Sequence, residues 1–127
     1  MEEREWHKEK IVSIDFDGVL AQYDGYKGED IMGEPINGAR EFVLKLINSG
    51  YKPMVFTVRK PEFVLRWIEK NDFPNMEVTN VKRPSLTYID DRCIKFDGDY
   101  STLTRSLKEF NVYWRDKDHK IFDDLKE

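Results

Sequence analysis

The residues best equipped for chemistry are two acids at the end of one apolar run. In "IVSIDFDGVL", residues 11–20, Asp15 and Asp17 flank Phe16 after a stretch of Ile and Val. Such a run predicts a buried strand. Side chains alternate along a strand, so the two aspartates lean the same way and Phe16 points back. Neighbouring carboxylates repel, and burying an unpaired charge is costly, so a cation is expected between them. Two more apolar runs end in reactive groups: "KPMVFTVR" in Thr57 and Arg59, and "SLTYIDD" in Asp90 and Asp91. Asp15, Asp17, Asp90 and Asp91 would gather four carboxylates near one point. Hard oxygen ligands of this kind suit Mg²⁺, which takes one or two carboxylates plus phosphate and water. Thr57 can donate a hydrogen bond, and Lys82 or Arg83 can supply positive charge. Together these groups would clamp a phosphoryl group, and Asp15 could attack phosphorus itself.

The elements that must position these groups alternate along the chain. Besides the three runs above, "MEVTNV" predicts a short strand and "CIKFDGD" one more. "INGAREFVLKLINSG" predicts a helix, with Ala39, Phe42, Val43, Leu46 and Ile47 at helical spacing, Asn37 as N-cap and Gly50 as the stop. "KPEFVLRWIEKND" predicts a second, with Pro61 in its first turn and Phe63, Val64, Trp67 and Ile68 along one face. "YSTLTRSLKEF" predicts a last helix, capped near Ser101. Between the first strand and first helix, "AQYDGYKGEDIMGEP" reads as turns or a small hairpin. Alternating strands and helices predict an α/β fold: a single three-layer, Rossmann-like domain with a mainly parallel sheet and helices on both faces. Its motif-bearing core runs from about 11 to 110, between charged ends 1–10 and 111–127. Ligand groups collect at the carboxyl ends of strands in such sheets, which is where all three polar pairs fall.

Bulk properties narrow the setting. The 127 residues suit one domain, and 39% hydrophobic with 36% charged residues describes a globular, soluble chain. The formal net charge of -4 is made of interspersed acids and bases, which gives no general drive toward nucleic acid or an anionic membrane. One cysteine, Cys93, allows no intrachain disulfide and no cysteine-cluster zinc site, and fits a reducing cytoplasm. The start "MEEREWHKEK" is charged throughout, unlike a signal peptide, and no apolar stretch approaches a membrane span. Cys93 is expected as a buried structural thiol, Trp67 as core, and His7 and His119 as exposed. Trp6 and Trp114 are expected to pack the ends down or to meet a second copy of the chain.

"DFDGVL", "VFTVR", "NVKRP" and "YIDDR", in that order and each after a predicted strand, resemble the four motifs of the haloacid dehalogenase superfamily of phosphohydrolases. The likeness runs from about Ile11 to Tyr100 and is closest to small, compact members without a cap domain. It implies a Mg²⁺-dependent phosphatase working through an aspartyl-phosphate. Asp15 would be the nucleophile and a Mg²⁺ ligand. Asp17 would protonate the leaving oxygen, then activate water, and ligate Mg²⁺ through its backbone carbonyl. Gly18 would permit the turn that follows. Thr57 would hold a phosphoryl oxygen, Lys82 would neutralise charge, and Asp91 would ligate the metal with Asp90 as a second or outer ligand.

The related pattern commonly has lysine directly before proline, whereas this chain reads Lys82-Arg83-Pro84. Lys82 is favoured for its compact ammonium, with Arg83 in reserve. Arg59 is expected to cap or salt-bridge nearby and stays outside the catalytic set. The short segment after the first strand and the absence of room in "RPSLTY" predict an open site, suited to bulky substrates or completed by a second copy of the chain. Tyr23, Tyr26 and Lys27 are then the nearest specificity candidates. The phosphorylated substrate stays open among sugar phosphates, nucleotides, nucleic-acid ends and phosphoproteins, since fold analogy does not supply it. Two rivals are a receiver-like signalling domain, whose acidic pair would precede the phospho-accepting aspartate rather than follow it, and a catalytically silent binding module. A dinucleotide-binding domain is disfavoured because no GxGxxG follows the first strand.

Overall fold

A computed structural model describes residues 9–116 and 121–126. The chain divides into two compact units, Met1–Asp90 and Asp91–Glu127. The expectations for Trp6, His7 and His119 fall outside the described residues.

The first unit carries the sheet. Strands β1 (Ile11–Ile14), β2 (Lys52–Phe56), β3 (Glu77–Thr79) and β4 (Thr87–Ile89) lie in the order β3-β2-β1-β4. Every pairing is parallel. Central β1 is buried along its whole length, as its unbroken apolar run requires of a strand with neighbours on both sides. Helices α1 (Ala39–Asn48) and α2 (Pro61–Lys70) make the crossovers from β1 to β2 and from β2 to β3. Successive right-handed crossovers that move the same way across a sheet place their helices on one face. The core agrees: Val12, Ile14 and Val55 cluster with Ala39 and Val43 of α1 and with Val64, Trp67 and Ile68 of α2. Trp67 is core, as its place on the apolar face predicts, and meets Phe16 edge to face at 4.8 Å between ring centroids.

Helix ends differ in detail from the sequence reading. α1 starts from Gly38 in the left-handed region (φ 90°) with no side-chain cap, so Asn37 is not its N-cap. Its end is as predicted: the Tyr51 amide donates to the Leu46 carbonyl across Gly50. Phe42 and Ile47 are partly exposed, which leaves α1 a narrower inner face than the spacing implies. α2 begins with Pro61 at its first turn, where a missing N–H costs nothing.

The segment between β1 and α1 forms a flap of bends and turns. The Gln22 amide donates to the Glu34 carbonyl (2.8 Å) and the Ile36 amide to the Leu20 carbonyl (2.8 Å), so the base of the flap is stitched like a hairpin. Neither this segment nor 80–86 holds a helix or a strand of more than an isolated bridge, which leaves no cap domain in either interval.

In the second unit, a short 3₁₀ turn (Tyr100–Thr102) leads into α3 (Leu103–Glu109). The cap is Asp99, near Ser101 as expected: its carboxylate accepts from the Ser101 amide. The predicted strand in "CIKFDGD" is absent: residues 93–99 have no strand pairing, and Cys93 is exposed rather than a buried thiol. Alternating polarity favours a strand only where a neighbour completes the ladder, and here Asp97 instead turns the chain, accepting from the Asp99 amide next to Gly98 (φ 96°).

Candidate functional site

The strand order fixes where the reactive groups meet. The first two crossovers run from β1 toward β3, and β4 then returns to the other side of β1. The order therefore reverses between β1 and β4, and the crevice outside their carboxyl ends is where α/β sheets bind ligands. Ile14 lies beside both Val55 and Ile89, so Asp15 and Asp90 leave adjacent strands at the same level. The Asp15 amide donates to the Ile89 carbonyl (2.8 Å), which continues the ladder by one residue. The Asp15 and Asp90 carboxylates come within 4.8 Å of one another, and Asp91 follows directly in the chain.

After Asp15 the backbone turns sharply. The Phe16 amide donates to Asp15 Oδ1 (2.8 Å). Gly18 takes φ 84° and its amide donates to the Ala21 carbonyl (2.8 Å), a conformation that strains any side-chain-bearing residue. Phe16 is fully buried while Asp15 and Asp17 are partly exposed, the alternation the strand pattern predicts.

Asp17 is not a free carboxylate. Arg59 Nε donates to its Oδ2 (2.7 Å) and Nη2 to its Oδ1 (3.1 Å), a two-pronged ion pair. Arg59 does salt-bridge nearby, as expected, but its partner is the proposed acid–base residue. Thr57 is buried just beyond β2, with its amide bonded to the Thr79 carbonyl (2.9 Å). Its Oγ1 accepts from the Arg59 amide (3.2 Å), which leaves the hydroxyl proton for donation.

The two candidate cations are separated by their partners. Arg83 is engaged with Glu77 at 2.6 Å, whereas the Lys82 ammonium lies over the Tyr88 ring, 5.1 Å from its centroid. Among the described residues, Lys82 has no carboxylate partner. The Tyr88 hydroxyl donates to the Arg83 carbonyl, which braces this loop against β4. On the flap, Tyr23 and Lys27 line a cavity of about 150 Å³ that reaches Arg59. Tyr26 is exposed, its ring centroid 5.8 Å from the Arg59 guanidinium carbon.

The second unit opens on Asp91. Trp114 Nε1 donates to its Oδ2, while its Oδ1 is buried without a hydrogen-bond partner. A buried carboxylate oxygen is costly to leave unpaired. Its hard-oxygen chemistry and the Asp15–Asp90 approach both suit a divalent cation such as Mg²⁺.

Residues 15, 57 and 90 could be anticipated from their places after apolar runs. The link from Arg59 to Asp17 could not, because a side-chain pair 42 residues apart has no local signal.

No protein-family model matches the chain, and no curated protein matches it. Among solved structures, it is similar to a conserved protein from Bacteroides thetaiotaomicron, with 20% identity and a TM-score of 0.52 over 78% of this chain and 89% of that one. That likeness concerns the fold alone.

Proposed function

We propose that this chain is a Mg²⁺-dependent phosphatase that passes a phosphoryl group to Asp15 and then to water. The observation that carries the reading is the approach of Asp15 and Asp90 within 4.8 Å at the crevice where the strand order reverses. Asp15, Asp90, the adjoining Asp91 and the Asp17 carbonyl would hold the metal. When bound, Mg²⁺ would draw charge from the phosphoryl oxygens and offset carboxylate repulsion.

The protein's own groups would do the rest. An Asp15 carboxylate oxygen bonds to phosphorus as the bond to the leaving oxygen breaks. Thr57 donates to a phosphoryl oxygen and Lys82 offsets its charge. Asp17 gives the leaving oxygen a proton and later takes one from the water that cleaves the aspartyl-phosphate. Both Asp17 oxygens accept from Arg59, so proton transfer at either requires that pair to loosen. A cytoplasmic setting belongs to this reading, since a single cysteine suits a reducing compartment.

Phosphate release from an aryl phosphate tests it. Release should need Mg²⁺, stop in EDTA and vanish in Asp15→Asn. Undiminished release in EDTA removes the metal, and wild-type release by Asp15→Asn removes the nucleophile. The same assay across sugar phosphates, nucleotides, nucleic-acid ends and phosphopeptides would identify the substrate class.

A further inference from the structure

A guanidinium carries five N–H donors in a rigid fork. In Arg59 all five are spent. Nε and Nη2 hold the two oxygens of Asp17 at 2.7 and 3.1 Å. Nη1 donates to the carbonyls of Gly28 (3.0 Å) and Glu29 (2.6 Å), and Nη2 also to that of Ile31 (3.1 Å). The side chain is 3% exposed. No donor remains for a phosphoryl oxygen, so Arg59 is not a substrate clamp.

We infer that Arg59 is a positioning residue that ties Asp17 and the flap into one unit. A buried charge needs a partner, and Asp17 is the carboxylate that Arg59 reaches. Three flap carbonyls, those of Gly28, Glu29 and Ile31, depend on the same group for hydrogen bonds. Where the flap sits therefore depends on Asp17, and the orientation of Asp17 depends on the flap. Tyr23 and Lys27, lining the cavity beside Arg59, are placed by the same tie. Lysine cannot replace it, because one ammonium has three donors and no fork. The effect on turnover rests on the phosphatase reading, whereas the tie itself does not.

Amide exchange of residues 23–33, followed by mass spectrometry, tests the tie in the wild type, Arg59→Lys, Asp17→Asn and the double variant. Exchange should quicken roughly tenfold or more in Arg59→Lys, the scale of one lost charge-assisted hydrogen bond. It should also quicken in Asp17→Asn, and the double variant should be no faster than Arg59→Lys. Wild-type exchange in Arg59→Lys, or effects that multiply in the double variant, overturns the inference. Should Arg59→Lys fail to fold, Asp17→Asn decides, and unchanged flap exchange there overturns it. On turnover, Arg59→Lys should lose about 10²-fold or more on an alkyl phosphate and far less on a nitrophenyl phosphate, which needs little protonation to leave. Equal losses on both overturn the positioning role. An inactive wild type would sink the phosphatase reading, and the exchange experiment would still decide the tie.

Discussion

Asp15 and Asp17 share a strand end and differ in what holds them. Asp15 stands beside Asp90 with its backbone locked to β4, whereas Asp17 is gripped by a buried arginine. Asp15→Asn should abolish turnover, because an amide cannot form the acyl-phosphate bond. Asp17→Asn should be slower by ~10²–10⁴-fold on poor leaving groups, the usual span of general acid–base catalysis, and should let the phospho-enzyme accumulate. Mass mapping of a borohydride-trapped phospho-enzyme checks both: label on a residue other than Asp15 refutes the division. The placement of the pair was legible. Two acids separated by one buried aromatic announce themselves, because strand alternation forces them to one side. The Arg83–Glu77 ion pair was not legible, because Glu77 is a neighbour reached only through the fold.

Elements hold these residues by close backbone approach and by caps. Gly33 shows the first: a Cβ there would stand 2.1 Å from the Gln22 carbonyl oxygen, and backbone cannot swing aside as a side-chain tip can. The Gly33 carbonyl also accepts from Trp67 Nε1 (2.8 Å), which moors the flap to α2. Gly33→Ala should destabilise the protein by about 1–3 kcal/mol, the usual cost of overpacking, and should loosen the flap. Denaturant unfolding checks the first effect; a midpoint within error of wild type would mean the flap yields freely. Asp99 shows the second. Hydrogen bonds from the Ser101 amide and then its side chain hold the Asp99 carboxyl below its ordinary value of 3.8. A lowered folded value means that the cap contributes fully above pH 3.8 and is lost as pH falls through the folded value. The Ser101 amide proton shift should follow that titration in the wild type and stay flat in Asp99→Asn. Spacing alone was a fair guide to helix bodies and a poor one to caps. Asn37 is a good cap type, yet α1 starts from a left-handed Gly38 with no side-chain cap, whereas Asp99, two residues before Ser101, supplies the cap expected there.

At the scale of the molecule, the parallel sheet was legible because long alternating elements leave few topologies, while its order was needed to show why Asp15 and Asp90 converge. The division after Asp90 left no trace in composition, since no Pro-, Gly- or Ser-rich linker marks it. Convergence has a thermodynamic consequence for the whole chain. Carboxylate oxygens within 4.8 Å repel, and the buried Oδ1 of Asp91 has no hydrogen-bond partner, two features that a bound cation would offset. Unfolded chain has no such cluster and binds Mg²⁺ far more weakly. Mg²⁺ should therefore stabilise the folded state by mass action, by about 2.7 kcal/mol at a hundredfold excess over Kd. For a chain of this size that corresponds to a rise in Tm on the order of 10 °C. Asp90→Asn and Asp91→Asn separate the contributors. Each should shrink the Mg²⁺ shift in proportion to its share of the ligation. Ca²⁺ prefers more ligands at longer distances, so any shift it gives need not be accompanied by turnover. A scanning calorimetry series at constant ionic strength, with NaCl replacing MgCl₂ as control, distinguishes specific binding from screening. Equal shifts with either salt, or a full Mg²⁺ shift in the Asp90→Asn, Asp91→Asn double variant, would remove these carboxylates from any metal site.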